Sequence, residues 1–166
     1  GLPASLEDRV SRLHATDDCD SPGQVYTYNQ PAAHVAVQPA GGGISTARDL
    51  GRFFAMMQGQ GSLDGTRVLA PETVTEVTKV QVHALDVTSD RHVRRSLGLV
   101  VGDPRSAPEN PETSLTFGHG GAGTSVGWAD PESGVAMAYI TNGYRSDATN
   151  FPRLAAVCQA VRSACT

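Results

Sequence analysis

Residues 117–142 limit the fold of this chain more than any other stretch, because two apolar runs there flank the turn Asp130-Pro131-Glu132-Ser133-Gly134. Pro131 presets a φ of about −65° and Gly134 supplies a positive φ, so the segment predicts a tight loop between antiparallel strands. At the other end of the stretch Gly118, Gly120, Gly121 and Gly123 surround His119. A backbone so bare of side chains lets a ligand or reacting group approach main-chain N–H donors closely. The same residues also fit a bulged strand edge, since a single His-Gly-Gly is a weak motif.

At 166 residues the chain suits one domain, long enough to bury roughly two-thirds of the surface its unfolded form exposes. No run of about 18 apolar residues occurs, so no segment is expected to span a bilayer as a helix. No signal-peptide pattern opens the chain, whose first residue is Gly1. The net charge of −4 and the scatter of the thirteen basic residues exclude a nucleic-acid stripe. Among those thirteen only Lys79 is lysine. Of the cysteines, Cys158 and Cys165 lie seven apart on one expected helix, a rise of ~10 Å that exceeds the reach of a disulfide. Any bridge must therefore use Cys19, and the alternative is three free thiols with Cys158 buried as a small apolar residue.

In chain order, Leu2, Leu6, Val10 and Leu13 recur at helical spacing behind Pro3, which predicts an amphipathic opening helix. Asp18, Asp20 and Gly23 open like a calcium loop, but Pro22 replaces an oxygen ligand and Asn29 the bidentate glutamate, so a solvated turn is expected and no metal. A short strand is predicted at 25–28. Beyond Gly41-Gly42-Gly43, Ser45 is the expected N-cap, with Ile44 ahead of it as a staple. Leu50, Phe53, Phe54 and Met57 form one apolar stripe ending near Gly59 or Gly61. Ser45 is a poor nucleophile candidate, because Arg48 stands where a lysine base is needed and arginine stays protonated. A Leu63-Asp64-Gly65 turn, a short helix over 71–79 opened by Pro71, a polar run to Ser96, a strand over 97–101 and a surface loop over 102–113 follow. Val135 to Ile140 is apolar on both faces and reads as a central strand covered by helices. Leu154, Val157, Cys158, Val161 and Cys165 stripe a closing helix.

Four segments in order carry a family resemblance: Gly-Gly-Gly-Ile-Ser-Thr-Ala-Arg-Asp-Leu from Gly41, Leu-Asp-Gly-Thr-Arg-Val-Leu-Ala-Pro-Glu-Thr-Val from Leu63, Phe-Gly-His-Gly-Gly from Phe117 and Gly-Trp-Ala-Asp-Pro-Glu-Ser-Gly from Gly127. Together they resemble the beta-lactamase-related serine hydrolases, a group that includes class C beta-lactamases, penicillin-binding DD-peptidases and esterases. The resemblance covers residues 39–166 and only the C-terminal half of such a protein, leaving 1–38 as an N-terminal helix and acidic turn outside it. It implies that His119-Gly120-Gly121 corresponds to the third active-site motif, Lys-Thr-Gly or His-x-Gly, on the strand edging the site. His119 would then supply a proton donor or positive edge, and the Ala122 N–H one oxyanion-hole donor, typically contributing about 3 kcal/mol to the transition state. Gly120, Gly121 and Gly123 would line the substrate. Relatives of this kind often act outside the cytoplasm, and the resemblance implies no cofactor.

The chain departs from that family's other motifs. Lys79 has Glu76 three positions before it, so there is no Ser-x-x-Lys, and none of Asn29, Asn110, Asn142 and Asn150 completes a Tyr-x-Asn. Without nucleophile and base the oxyanion donors alone hydrolyse little. One expectation is the C-terminal portion of a serine hydrolase, acting on a small-molecule or peptide substrate with Ser-x-x-Lys supplied by a missing N-terminal portion or a second chain. A second is a catalytically inactive module holding a carboxylate, a peptide end or a partner protein in the same cleft. A third has the opening helix cover the sheet in a compact derived domain. His14, His34, His83 and His92 show no metal spacing and read as surface or loop residues. The expected architecture is α+β, an antiparallel sheet of three to five strands with flanking helices, the C-terminal part of a beta-lactamase/transpeptidase-like fold.

Overall fold

The computed structural model describes residues 45–87, 90–103, 111–121, 125–143 and 145–165. The predicted opening helix, acidic turn and 25–28 strand, together with Ile44, Cys19, Ala122 and Gly123, lie outside them. Helix α1, Ala47–Gln58, starts at Thr46, whose hydroxyl oxygen accepts the Asp49 N–H at 3.1 Å while its proton goes to the Asp49 carboxylate at 2.8 Å. The cap is therefore Thr46 rather than Ser45. An acidic side chain three positions on completes the reciprocal pair for Thr46, whereas Ser45 meets Arg48 there. Phe54, Met56 and Met57 are buried while Phe53 is 45% exposed, so the stripe takes Met56 in place of Phe53. Successive helical residues point about 100° apart, and only one of two adjacent phenylalanines can face the sheet. The Phe53 ring instead meets the Phe54 ring edge-on, with centroids 5.2 Å apart.

Gly59 and Gly61 end α1 as expected, their N–H groups donating to the carbonyls of Ala55 (2.8 Å) and Met56 (2.9 Å). Gly61 has φ +85°, and a Cβ there would lie 2.2 Å from the Leu69 carbonyl oxygen. Strands β1, Ser62–Leu63, and β2, Thr66–Arg67, then form a small hairpin in which Asp64 (φ 49°) and Gly65 (φ 77°) both take the left-handed conformation of a type I′ turn. Helix α2, Pro71–Thr78, has the predicted proline in its first turn and buries Val74.

The remaining strands make one six-stranded antiparallel sheet in sequential order: β3 Val82–Asp86, β4 Arg91–Arg95, β5 Val100–Val101, β6 Phe117–Gly120, β7 Ser125–Asp130 and β8 Val135–Ile140. Six strands exceed the three to five expected from sequence. The β3–β4 hairpin was hidden in the polar run, because its residues are largely exposed and lack an apolar face that would betray a strand. The 97–101 strand shrinks to Val100–Val101. Gly98 turns the chain at φ +84°, Ser96 N–H donates to the Leu99 carbonyl at 3.0 Å, and Leu97 is 55% exposed.

Register sorts the sheet into two faces. Phe117 pairs Ala129, His119 pairs Gly127, and Gly127 and Ala129 pair Ala138 and Ala136. Phe117, Ala129 and Ala136 pack in one cluster with Phe54, Met57 and Val74, which places that face of the sheet against α1 and α2. On the other face Val126, Trp128 and Met137 pack on helix α3, Asp147–Cys165, where Leu154 and Cys158 are fully buried and Val157 and Val161 partly so. Cys165, the last member of the predicted stripe, is exposed, while Cys158 is buried. The Trp128 indole N–H donates to Cys158 Sγ at 3.2 Å. Strand β8 is covered on both faces as predicted, but it stands last in the strand order of the described residues, not centrally. Its two-sided burial comes from α1 and α3, which a sequence cannot distinguish from burial by central position. Among the described residues no helix is long and apolar enough to cross a membrane.

Candidate active site

Strand β6 owes its position to glycine. A Cβ on Gly118 would lie 2.3 Å from the Gly127 carbonyl oxygen and 2.6 Å from Trp128 Cβ, so only glycine allows β6 to lie this close to β7. One residue on, His119 turns to the opposite face and is exposed, with Gly127 across from it on β7. The place that a Gly127 side chain would take is occupied by the buried Phe54 ring, whose Cε2 lies 2.2 Å from the ideal Cβ position. Helix α1 thus reaches the sheet beside His119.

Strand β5 pairs only Phe117 and Gly118. Past that point the outer edge of β6, at His119 and Gly120, has no strand beside it among the described residues. His119 Nδ1 lies 2.8 Å from the Gly120 carbonyl oxygen. The Gly121 N–H donates to the Ser125 carbonyl at 2.9 Å, so it extends the β6–β7 ladder and is engaged within the sheet. Among the described residues His119 and Gly120 thus lie where β6 has no strand beside its outer edge, whereas the Gly121 N–H is taken up by β7. Ser45, set aside above as a nucleophile, is exposed ahead of the α1 cap.

His83 and His92, read above as surface or loop residues, lie on strands β3 and β4 and are exposed. His83 Nε2 is 3.4 Å from Glu112 Oε2. No group of three or more His, Cys, Asp or Glu side chains among the described residues is placed to hold a metal ion.

Two features escaped the sequence. The first is the anchor of α3: Arg162 pairs with the Asp130 carboxylate, donates to Thr116 Oγ1 at 2.8 Å and lies over the Trp128 ring at 4.5 Å. Asp130 is 3% exposed, and burial pushes its carboxyl up. Hydrogen bonds from Ser133, Arg162 and the Glu132 N–H, with the Arg162 charge, outweigh that and hold it below the usual carboxylate range. The second is a cavity of about 1030 Å³ between β3, β4, β5 and the first turns of α3, lined among others by Asp86, Arg91, Arg95, Asn150 and Phe151. Arg91 lies over the Phe151 ring at 5.1 Å. These partners are far apart in sequence and carry no local motif, although the Asp130-x-x-Ser133 spacing of a turn that caps itself was visible.

Comparison with known proteins places this architecture. The Beta-lactamase family model matches residues 1–160, beginning well ahead of residue 39, where the sequence motifs begin. The upstream segment carries none of those motifs, which is why the match there was not legible. The esterase/beta-lactamase LipL of Mycobacterium tuberculosis is 38% identical over 63% of this chain and 23% of its own length. A penicillin-binding protein homolog from Caulobacter crescentus shares 27% identity with a TM-score of 0.63, covering 72% of this chain and 32% of that one. A Mycobacterium bovis beta-lactamase has the same fold at 23% identity and TM-score 0.55, over 74% of this chain and 45% of its own. The chain thus spans about a quarter of the length of the curated relatives it matches.

Proposed function

We propose that this chain, which belongs to the beta-lactamase family, is the C-terminal portion of a serine hydrolase that transfers an acyl group from an ester, a beta-lactam or a D-peptide. In this reading the nucleophile and base reside in an upstream portion or a second chain, and His119 and the Ala122 N–H line the far side of the site. Gly120 leaves the substrate room against the backbone, and by the resemblance Gly121 and Gly123 would line it. The observation that carries the reading is the outer edge of β6 at His119 and Gly120, which no strand covers among the described residues and where a scissile carbonyl can lie against the backbone.

The site is incomplete by itself, because no residue of the chain forms a Ser-x-x-Lys pair. Incubation with a fluorophosphonate that tags activated serines, read by intact mass, tests this. The expected result is no adduct on the 17.4 kDa chain and one adduct per molecule once the upstream portion of the gene product is present. An adduct on the chain alone refutes the division of the site, and no labelling of either preparation points to a binding module without hydrolase activity.

A further inference from the structure

The cavity bounded by β3, β4, β5 and the first turns of α3 lies on the side of the sheet away from His119. Arg95 pairs Val100, and Val100 pairs Gly118. Paired residues share a face and neighbours along a strand alternate, so Arg91, Val93 and Arg95 stand on the Gly118 side, out of step with His119. The Arg91 guanidinium over the Phe151 ring identifies that side as the one α3 covers.

Three donors around this cavity are unsatisfied. Arg95 is half-buried, yet its guanidinium has no hydrogen-bond or ion-pair partner among the described residues, and that of Arg91 meets only the Phe151 ring. Asn150 is 3% exposed and lines the cavity. The Arg153 guanidinium donates to its carboxamide oxygen, and a guanidinium has no lone pair to offer, so Asn150 Nδ2 is the free end of that amide and has no acceptor. Asp86, Asp103 and Glu112 line the cavity as well, but each already has a partner, which for Glu112 is His83 at 3.4 Å. The donors left over are thus two guanidiniums and one amide, set beside Phe151, Val93 and Val100. A buried donor without an acceptor is costly, and an anion removes that cost for all three groups together.

We propose that this cavity is a ligand site separate from the His119 edge, and that it takes an anion carried on an apolar body. A carboxylate or phosphate would be held by Arg91, Arg95 and Asn150 Nδ2, with the body against Phe151, Val93 and Val100. Four residues of strand set the Arg91 and Arg95 backbones ~13 Å apart, a span that two arginine side chains can bracket over Val93. The volume of about 1030 Å³ accommodates a drug-sized molecule. None of this depends on the hydrolase reading.

Titration of the chain with 1-naphthyl phosphate, followed by ¹H–¹⁵N NMR, should shift the Nε–H signals of Arg91 and Arg95 and the side-chain amide of Asn150 saturably. 1-Naphthoate should move the same signals, and the tighter of the two identifies the headgroup. 1-Naphthol, which keeps the ring without the charge, and inorganic phosphate, which keeps the charge without the ring, should each bind about tenfold more weakly or worse. Arg91→Gln and Arg95→Gln should each weaken 1-naphthyl phosphate by about tenfold, with retained amide dispersion showing that both variants fold. Arg52→Gln removes a guanidinium on α1 that pairs with Asp64, and it should leave the affinity unchanged. Equal losses in all three variants would mean unspecific attraction and overturn the proposal, as would a titration that leaves the Asn150 amide unmoved. Loss of binding in the complete gene product would overturn it too, because the upstream chain would then fill the cavity.

Discussion

At the scale of single residues, the site depends on positions with no side chain. Gly118 is wedged against the Gly127 carbonyl and Trp128, and backbone atoms cannot rotate out of the way. Gly118→Ala should therefore destabilise the unit by about 2 kcal/mol or more, measured by urea unfolding, and should shift the amide resonances of His119 and Gly120. The glycines around His119 stand out in the sequence, but which of them must be glycine for packing does not, because the clash is with Gly127 and Trp128 on the neighbouring strand, nine and ten positions away. Asp130 makes a second residue-level prediction. Its carboxyl is held below its ordinary value, so the stability it contributes is complete above the unfolded pKa of about 3.9 and is lost as pH falls through the lower folded value. Asp130→Asn should cost about 3 kcal/mol at neutral pH by breaking the buried ion pair with Arg162. It should also flatten the acid limb of the stability curve below about pH 4, and an unchanged limb would show that Asp130 does not titrate with folding.

At the scale of elements, helices and turns with strong local chemistry were legible and exposed strands were not. The Asp64-Gly65 turn, the Pro71 start and the glycine stop of α1 all follow from backbone geometry that the residues impose by themselves. The α1 cap was misplaced by one residue because Ser45 and Thr46 are both good caps, and the choice lies with Asp49. Thr46→Ala should cost about 1 kcal/mol in thermal or urea unfolding, whereas Ser45→Ala should stay within about 0.5 kcal/mol; the reverse order would restore Ser45 as the cap. The β3–β4 hairpin is held by pairing with β5 in the sheet rather than by an apolar face of its own. Its exposure left no periodic signal to read.

At the scale of the whole unit from Thr46 onward, two apolar layers share one sheet. Cluster members of both layers alternate along β7 and β8, with Ala129 and Ala136 facing α1 and Val126, Trp128 and Met137 facing α3. Neither layer can lose its packing without disturbing the same two strands, so the layers should unfold together. Trp128, the single tryptophan, is fully buried and reports the α3 layer directly. Its fluorescence and the far-ultraviolet circular dichroism of the helices should give superimposable urea transitions. Separate midpoints would mean that α1 and α3 belong to independent cooperative units.

The sequence by itself determined the α+β class, the hairpin on the 130–134 turn, the helices that cover it and the family, but not that residues 117–120 form a third strand of their own beside it, because apolar periodicity, turn chemistry and motif order are local properties of the chain. Only the tertiary structure decided that His119 lies on the α1 face beside Phe54 and past the end of β5, and that Arg162 binds Asp130 and Thr116 from 32 and 46 residues away. Those facts depend on strand register and on long-range contacts, and register moves a side chain from one face of a sheet to the other with a shift of a single residue.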